Sequence, residues 1–562
     1  MGGEVKMRTA CTVAVSTLLA SSLSWGQIPK SYFGMHNQGY RNWPLHSSYG
    51  SYRIWDASGS PGSQWSEVHT CASPHTASQC QADPTLTTLT WTTLDAYLSG
   101  IKSQAGAGAQ VLYTLSRTPA WASAGTTDTN CRYSGAETAS CYPPVNLNQD
   151  GSGSNNIWDY WVTQIATHVK NTSADAQITT WEPWNEFGAS PTLGYGYSST
   201  NAASYKGTWA QLLRMTEDLR CIIKGVGTIH NYPSSGSSTA CATYLAALPS
   251  WSSHAAINSS ALISTPSGSP DPQYPAVLRA EQNFLYCNHS PTNDVPLGSP
   301  SSTSCTWSGG ASWGSAAVDV INFHFYENGA GYTPETVGAW VSTIESSGYL
   351  SSADQAKPLI SGEGSDIESG SGVGGSPVFG ASDPYAEMGA VARFMALYWS
   401  YGISQIYWYA YNLYSVLWNG SALTQPGTAW NTAYGWLVGS TPVNAPFCST
   451  VGTVYTCALK EANGKPAELV WDSKFGPGGN TAPSVCSTYA NPIICGNESY
   501  TVPGTYSADW IDLNGTSHAF SPAVTIGAVP ILLEGGGNVP ATGPVKMTGN
   551  VRLTGQILIK SP

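Results

Sequence analysis

The sequence predicts an α/β protein, a TIM (β/α)8 barrel followed by a C-terminal antiparallel β-sandwich. Three observations support this fold class. Between about residues 32 and 440, short apolar runs alternate with longer amphipathic segments, and eight such pairs can be counted. After Ser440 the helical pattern ends and short alternating β runs follow. Two of the eight apolar runs lead into a glutamate, and functional residues of such a barrel gather at the C-terminal ends of its strands.

The eight predicted barrel strands are short and rich in β-branched or aromatic residues. They cover residues 32–35, 51–55, 110–115, 178–182, 221–229, 318–325, 358–361 and 402–409. Helices are predicted between them by apolar residues at helical spacing. These cover residues 94–105, 157–170, 205–219, 334–347, 384–400 and 429–438.

Four segments follow from these patterns. Residues 1–26 resemble a secretory signal peptide, since Lys6 and Arg8 precede an apolar run that ends in small residues. Residues 27–440 form the predicted catalytic barrel, and residues 441–536 the sandwich, with β runs at 467–471, 499–503 and 523–533. Residues 537–562 form a tail that fits either an extra strand or a flexible end.

The composition indicates the compartment in which the protein acts and a class of partner that it is not expected to bind. No later stretch reaches about 18 consecutive apolar residues, so stable membrane insertion is not expected and the mature protein is predicted to be secreted, extracellular or periplasmic. Only 10% of the residues are charged, and the formal net charge is −12 without a basic cluster. Nucleic acid is therefore an unexpected partner. The sequence gives no indication of an oligomeric state.

The cysteines indicate an oxidising compartment. Of thirteen, Cys11 lies in the signal segment, and the other twelve fall into neighbours along the chain. Six short-range disulfides are the simplest interpretation, with free or cross-paired thiols as the alternative. The predicted pairs are Cys71 with Cys80, Cys131 with Cys141, Cys221 with Cys241, Cys287 with Cys305, Cys448 with Cys457, and Cys486 with Cys495. None has the spacing of a zinc or redox site, so no metal is expected.

Two glutamates are the candidate catalytic residues. Trp181-Glu182-Pro183-Trp184-Asn185-Glu186 and Pro358-Leu359-Ile360-Ser361-Gly362-Glu363 each read as a strand that ends in a glutamate. Retaining cleavage of a glycosidic bond needs two carboxyl groups about 5 to 5.5 Å apart, one an acid and then a base, the other a nucleophile. Glutamates at the ends of two parallel strands fit that need.

With these motifs, residues 33–439 resemble a clan A glycoside hydrolase, and most closely family 39, which holds β-xylosidases, α-iduronidases and exopolysaccharide glycosidases. The resemblance implies that Glu186 is the acid/base, that Asn185 bonds the sugar 2-hydroxyl and that Glu363 is the nucleophile. Phe187 stands where family members usually carry proline, and Gly362 where threonine or serine is commoner.

Further substrate-binding residues are predicted around this pair. Arg53 is expected to keep Glu363 ionised, with a structural pair to Asp56 as the alternative. Strand six places Asn322, His324 and Tyr326 on one face and two phenylalanines on the other, so His324 and Tyr326 are expected at the substrate, or His324 inside the core. By resemblance, Tyr326 bonds the nucleophile.

Aromatic residues are expected to shape the sugar subsites, because flat sugar faces stack on aromatic rings. By resemblance, Trp408 on strand eight forms the floor under the reacting sugar, with core packing as the alternative. Trp121, Trp55 and His36 are weaker candidates for further subsites.

The leading hypothesis is a secreted retaining glycoside hydrolase that cleaves a poly- or oligosaccharide by double displacement and needs no cofactor. Glu186 requires a raised pKa, for which Trp181, Trp184 and Phe187 would supply apolar surroundings. Two alternatives remain: an endo-acting glucanase or mannanase of the same clan, and a non-catalytic carbohydrate-binding protein. Sequence does not distinguish exo from endo action, nor the sugar, linkage or anomer.

Overall fold

A computed structural model describes the protein over fifteen stretches of the chain. These are residues 26–36, 45–55, 62–125, 131, 139–172, 175–187, 205–231, 237–267, 275–286, 313–326, 333–346, 349–365, 383–412, 416–475 and 486–536. The predicted signal segment lies almost entirely outside the described residues, and the tail 537–562 entirely so.

Eight parallel strands form a closed barrel, which confirms the predicted fold class. In chain order they are β1 (Phe33–His36), β2 (Ser51–Ile54), β3 (Gln110–Thr114), β4 (Ile178–Glu182), β5 (Leu262–Ile263), β6 (Ile321–His324), β7 (Leu359–Gly364) and β8 (Ile403–Tyr409). The sheet runs in the order β6-β7-β8-β1-β2-β3-β4-β5. A parallel bridge between Ser264 and Val320 joins β5 to β6 and completes the circle.

The predicted fifth strand, residues 221–229, is wrong. The helix predicted to end at residue 219 continues to Lys224, and Gly225 ends it in a left-handed conformation with φ of 70°. Thr228–His230 then pairs with Ser238–Ala240 in a separate two-stranded sheet. The fifth barrel strand is Leu262–Ile263, a run too short to stand out in the sequence.

Twelve α-helices occur in the described residues. They are α1 (Trp65–Val68), α2 (Ala77–Ala82), α3 (Thr92–Ala105), α4 (Asn156–Asn171), α5 (Trp209–Lys224), α6 (Cys241–Ala247), α7 (Pro275–Tyr286), α8 (Trp313–Ala317), α9 (Pro334–Ile344), α10 (Ser352–Gln355), α11 (Pro384–Ser400) and α12 (Gln425–Leu437). Every residue of α11 from Ala386 onward is buried, since the helix lies between the barrel and the second domain. None of the described helices is long and apolar enough to cross a membrane.

The interior of the barrel is filled by the side chains of alternate strand residues. Leu112, Val320, Ile360 and Tyr407 form a small apolar cluster of their own, separate from the main core around the helices. On β6 the predicted two-faced pattern is confirmed, because Phe323 joins the main core while the ring nitrogen of His324 reaches the barrel carboxylates. The centre of the barrel is therefore apolar and its C-terminal end is polar.

The second domain begins directly after α12. Its strands are β9 (Thr441–Pro442), β10 (Cys448–Val451), β11 (Val454–Lys460), β12 (Pro466–Asp472), β13 (Glu498–Thr501), β14 (Trp510–Ile511), β15 (Ser517–His518), β16 (Ala523–Ile526) and β17 (Ile531–Glu534). One antiparallel sheet runs β9-β11-β12-β17-β14-β15 with β10 on β11, and β13 pairs with β16 in a second sheet. This arrangement is consistent with the predicted sandwich. The run at 523–533 is two strands in two sheets rather than one.

Five of the six predicted disulfides are formed. They are Cys71–Cys80, Cys131–Cys141, Cys221–Cys241, Cys448–Cys457 and Cys486–Cys495. Cys287 and Cys305 lie outside the described residues. Each of the five closes a short segment, as their spacing along the chain predicts.

Candidate active site

The two predicted catalytic glutamates meet at the C-terminal end of the barrel. One oxygen of Glu186, one oxygen of Glu363 and a ring nitrogen of His324 all lie within 4.8 Å of one another. Both glutamates are buried, at 6% and 4% exposure. One expectation is corrected: β4 ends at Glu182, so Glu186 stands in the loop beyond the strand rather than at its last position.

The backbone at Glu186 is held in an unusual conformation. Its φ is 44°, in the left-handed region that residues other than glycine rarely adopt. Its N–H donates to the hydroxyl of Ser267 over 3.0 Å, and its carboxylate lies 3.0 Å from His324 Nδ1. Ser267 follows β5, so the loops after β4 and β5, together with β6, position this carboxylate.

Glu363 sits between two donors. Arg53 Nη1 donates to its Oε1, and the Tyr326 hydroxyl donates to its Oε2 over 2.5 Å. His324 Nδ1 lies 3.4 Å from that second oxygen. Burial, together with the negative charge of Glu363, raises the pKa of Tyr326 well above its usual range, so the phenol stays protonated and remains a donor. The predicted contact between Tyr326 and Glu363 is present.

Arg53 connects three polar residues and is completely buried. Its Nε and Nη2 donate to Glu182 Oε2 over 3.0 and 2.8 Å, and Nη2 also donates to Asn185 Oδ1 over 2.7 Å. Burial opposes the positive charge, but the carboxylates of Glu182 and Glu363 raise the pKa of the guanidinium above its ordinary value. Arg53 is therefore a permanent cation beside Glu363. The alternative partner Asp56 lies outside the described residues.

His36 lies beside this network as a neutral imidazole. It pairs with Arg53 of β2 on one side and with Tyr409 of β8 on the other, so all three side chains face the barrel interior. Burial lowers the pKa of His36 well below its ordinary value, and the charges of Arg53 and His324 lower it further. Neither ring nitrogen of His36 has a hydrogen-bond partner among the described residues. His36 itself is completely buried.

Trp408 does not lie where it was expected. It pairs with Met35 of β1, which faces the helices, and its ring packs against Phe394 and Trp430 with centroids 5.1 and 5.9 Å away. The core-packing alternative is therefore the one the structure favours. Strand alternation brings the neighbouring Tyr409 to the mouth instead, with its ring 4.7 Å from His36 and 6.3 Å from Tyr326.

The two remaining aromatic candidates lie at the ends of β2 and β3. Trp55 follows β2 and is buried, with the guanidinium of Arg117 over its ring at 5.0 Å. Trp121 lies in the loop after β3, where its Nε1 donates to the carbonyl of His69 over 3.0 Å and its ring packs on that imidazole. The described contacts of Trp121 are thus with the segment after β2. Its role in substrate binding stays a prediction.

Sequence reasoning missed four residues of the site. Glu182 and Thr114 end their strands. Glu182 Oε2 accepts from Arg53 and, over 2.5 Å, from Thr114 Oγ1. Glu182 was visible as the charged residue at the end of a strand. Ser267 follows the fifth strand, which the sequence does not reveal. Tyr409 stands next to a tryptophan, and only the register with β1 shows which of the two faces the barrel interior.

The spacing of Glu186, His324 and Glu363 would also suit a metal ion. However, a guanidinium and a phenol already donate to the two oxygens of Glu363, and a cation there would face the charge of Arg53. These contacts are those of a hydrogen-bonded carboxylate rather than of a metal ligand.

No protein-family model matches the sequence, and no curated protein matches it. Among solved structures, a family 39 glycoside hydrolase from the gut symbiont Bacteroides cellulosilyticus WH2 is 11% identical with a TM-score of 0.47, covering 90% of this chain and 81% of that chain. The catalytic domain of a GH30 xylanase C from Talaromyces cellulolyticus is 10% identical with a TM-score of 0.44, covering 92% and 98%. A GH51 arabinofuranosidase from Xanthomonas axonopodis pv. citri is 10% identical with a TM-score of 0.41, again covering 92% and 98%.

These three are glycoside hydrolases, the class that the sequence itself resembles. At such identities and TM-scores the likeness carries no argument about activity.

Proposed function

We propose that this protein is a retaining glycoside hydrolase that cleaves O-glycosidic bonds of an oligo- or polysaccharide by double displacement. The observation that carries the proposal is the pairing of Glu186 and Glu363, whose nearest oxygens lie within 4.8 Å of each other in a buried site. Inverting enzymes keep their carboxyl groups about 6.5 to 9.5 Å apart to admit a water molecule, whereas retaining enzymes keep them about 5 to 5.5 Å apart.

The surroundings of the two groups support different roles. Glu363 accepts hydrogen bonds from a cation and from a phenol, which favours the ionised carboxylate that a nucleophile needs. Glu186 is buried close to the carboxylate of Glu363, and burial beside a like charge favours the protonated form that a general acid needs.

The reaction then follows in two steps. Glu363 attacks the anomeric carbon while Glu186 gives its proton to the leaving oxygen, so the glycosidic bond breaks and a glycosyl ester forms. Glu186, now a carboxylate, takes a proton from water as that water attacks the same carbon. The ester bond to Glu363 breaks, and the sugar leaves with its original anomeric configuration.

Substrate contacts are assigned to the residues around the pair. The amide oxygen of Asn185 accepts from Arg53, so the NH₂ end of that amide is the end that would donate to the sugar 2-hydroxyl. The neutral ring of His36 would bind a hydroxyl farther from the reacting carbon. Tyr409 takes over the stacking role expected of Trp408, because it stands on the inner face of β8 beside His36.

The protein is further proposed to act outside the cytoplasm. Five formed disulfides support an oxidising compartment, since such bonds are rare where thiols are kept reduced. A saccharide outside the cell also suits a chain that carries few charged residues.

The test is turnover of aryl β-glycosides and of plant and bacterial polysaccharides, with products identified by mass spectrometry and the anomer followed by NMR. Wild-type protein is expected to release a sugar with retained configuration in the presence of EDTA. Glu363→Gln is expected to abolish release. Glu186→Ala is expected to be inactive on polysaccharide and to recover turnover of activated aryl glycosides when azide replaces water as the nucleophile.

Glu281→Gln is the matched control, because it makes the same change in a buried glutamate of helix α7. Its turnover should equal that of the wild type. An activity that EDTA removes, or that survives Glu363→Gln, would refute the proposal. Release of single sugars would identify exo action, and release of oligosaccharides endo action.

A further inference from the structure

The site contains a third buried carboxylate, which takes part in neither step of the proposed reaction. Glu182 ends β4 and is completely buried. Its Oε2 accepts three hydrogen bonds, two from Arg53 and one from Thr114. Its Oε1 is buried without a hydrogen-bond partner among the described residues. The only charge that compensates Glu182 within hydrogen-bond distance in the described part of the chain is therefore that of Arg53.

Arg53 faces two carboxylates at once. Nε and Nη2 point to Glu182, while Nη1 points to Glu363. All three charged groups are shielded from water, so their mutual interactions are much stronger than they would be at the surface. The guanidinium is planar and rigid, so the bonds to Glu182 also fix the direction in which Nη1 points.

We propose that Glu182 is a positioning residue that shares the charge of Arg53 with Glu363 and thereby sets how readily Glu363 is protonated. This inference rests on the proposed function for its catalytic meaning, but its electrostatic part concerns the resting protein. A nucleophile that was the sole partner of a buried cation would be strongly stabilised and correspondingly unreactive. With Glu182 present, Arg53 divides its donors between two carboxylates, so its charge is not directed at Glu363 alone.

Other groups around Glu363 do not offer the same control. Tyr326 donates a neutral hydrogen bond, and the neutral His36 carries no charge. Glu186 and His324 face Glu363 from the other side and change protonation or contacts during the proposed reaction. Around Glu182 itself, the charged or titratable neighbours among the described residues are Arg53, the buried Tyr407 and Glu281 of α7.

The experiment replaces Glu182 by glutamine, which keeps the shape and can still accept from Arg53 but carries no charge. In Glu182→Gln the whole charge of Arg53 acts on Glu363. The acid limb of the kcat/KM profile is expected to move to lower pH by about one unit, with KM little changed. Glu281→Gln, a buried glutamate outside the reach of Arg53, is expected to leave that limb in place.

A second measurement does not depend on turnover. In protein labelled with ¹³C at the glutamate carboxyl groups, the Glu363 signal is assigned by its loss in Glu363→Gln and titrated by NMR. Its midpoint is expected at lower pH in Glu182→Gln than in the wild type.

The outcomes separate the two proposals. Wild-type protein without glycosidase activity, combined with a lower Glu363 midpoint in Glu182→Gln, would refute the function and support the inference. An active wild type whose acid limb and Glu363 midpoint stay unchanged in Glu182→Gln, with only the melting temperature lowered, would overturn the inference and leave Glu182 as a structural residue of the barrel.

Discussion

At the scale of single residues, the site places several buried charged side chains close together, and these side chains form ion pairs with one another. In one such group, Glu182 and Glu363 share the single positive charge of Arg53. Glu281 shows what happens when a carboxyl group lacks a cation. Burial raises its pKa well above the ordinary range, and the nearby acids Asp354 and Glu182 raise it further.

We expect Glu281→Gln to stabilise the protein above about pH 5 and not below. In the unfolded chain the carboxyl ionises above about pH 4.3, whereas in the folded protein it stays protonated. The wild type therefore has its full stability below the unfolded pKa and loses about 1.4 kcal/mol for every pH unit above it, until the raised pKa is passed. Glutamine is neutral throughout.

Thermal unfolding at pH 4, 6 and 8 tests this. The melting temperatures of the two proteins should coincide at pH 4 and diverge as pH rises, with the variant higher. A constant difference at all three pH values would show that the substitution acts through packing instead.

The glycine before Glu363 has a steric cause. A Cβ added to Gly362 would lie 2.3 Å from Asn322 Oδ1, and that oxygen accepts the Gly362 N–H over 3.0 Å. The buried amide of Asn322 thus occupies the space that a threonine or serine side chain would need. This contact explains why the chain departs here from the residue commonly found in the resembled family.

We therefore expect Gly362→Ala to lower both stability and kcat. Overpacking of this kind costs about 1 to 3 kcal/mol, and the displaced Asn322 releases the backbone next to Glu363. Gly435→Ala in α12 is the control, since its added Cβ would meet nothing within 4 Å. Thermal unfolding and kcat on the best substrate are compared. Equal kcat for Gly362→Ala and the wild type would contradict the explanation.

At the scale of elements, β8 decides which aromatic residue can reach a sugar. Neighbouring residues of a strand face opposite sides, so Trp408 and Tyr409 cannot both point into the barrel. The pairing of β8 with β1 settles the matter, because Tyr409 pairs with His36 and Trp408 with Met35.

Substitutions in these two residues are expected to have separate effects. Tyr409→Ala should raise KM at least tenfold and leave the melting temperature nearly unchanged, since the ring lies at the mouth. Trp408→Ala should lower stability by about 3 to 5 kcal/mol because it removes a large buried side chain, while the KM of the folded fraction changes little. Steady-state kinetics and thermal unfolding measure both. A raised KM in Trp408→Ala alone would return the stacking role to the tryptophan.

At the scale of the whole molecule, the sandwich is fixed to the barrel through a buried polar contact. Glu335 of α9 accepts from Arg393 of α11 over 3.0 Å and from Trp471 Nε1 of β12 over 2.9 Å. Gly389 of α11 lies against the carbonyl of Ala528, since an added Cβ would come within 2.7 Å of it. These contacts support a stabilising role for the second domain.

Trp471→Phe is expected to lower the melting temperature while kcat and KM stay at wild-type values. The change removes the donor to a nearly buried carboxylate, which costs about 1 to 3 kcal/mol. Tyr455→Phe is the control, because it keeps the ring that stacks on Trp471 at 5.1 Å. A change in KM with unchanged stability would instead indicate that the sandwich takes part in substrate binding.

Much of this molecule follows from local patterns in its sequence. Alternating apolar runs determined seven of the eight barrel strands, and cysteine spacing determined the five described disulfides. The period of two on β6 placed His324 and Tyr326 beside the carboxylates. These features depend on residues close in sequence, and short-range geometry alone is enough to predict them.

Tertiary structure decided the rest. Only the closed barrel shows that Arg53 divides its charge between Glu182 and Glu363, which are 181 positions apart (363 minus 182). The short strand Leu262–Ile263 becomes a strand because β4 and the bridge to Val320 enclose it, not through its own propensity. Likewise, the choice of Tyr409 over Trp408 depends on register with β1. Pairing between distant strands sets these features, and no local pattern in the chain encodes it.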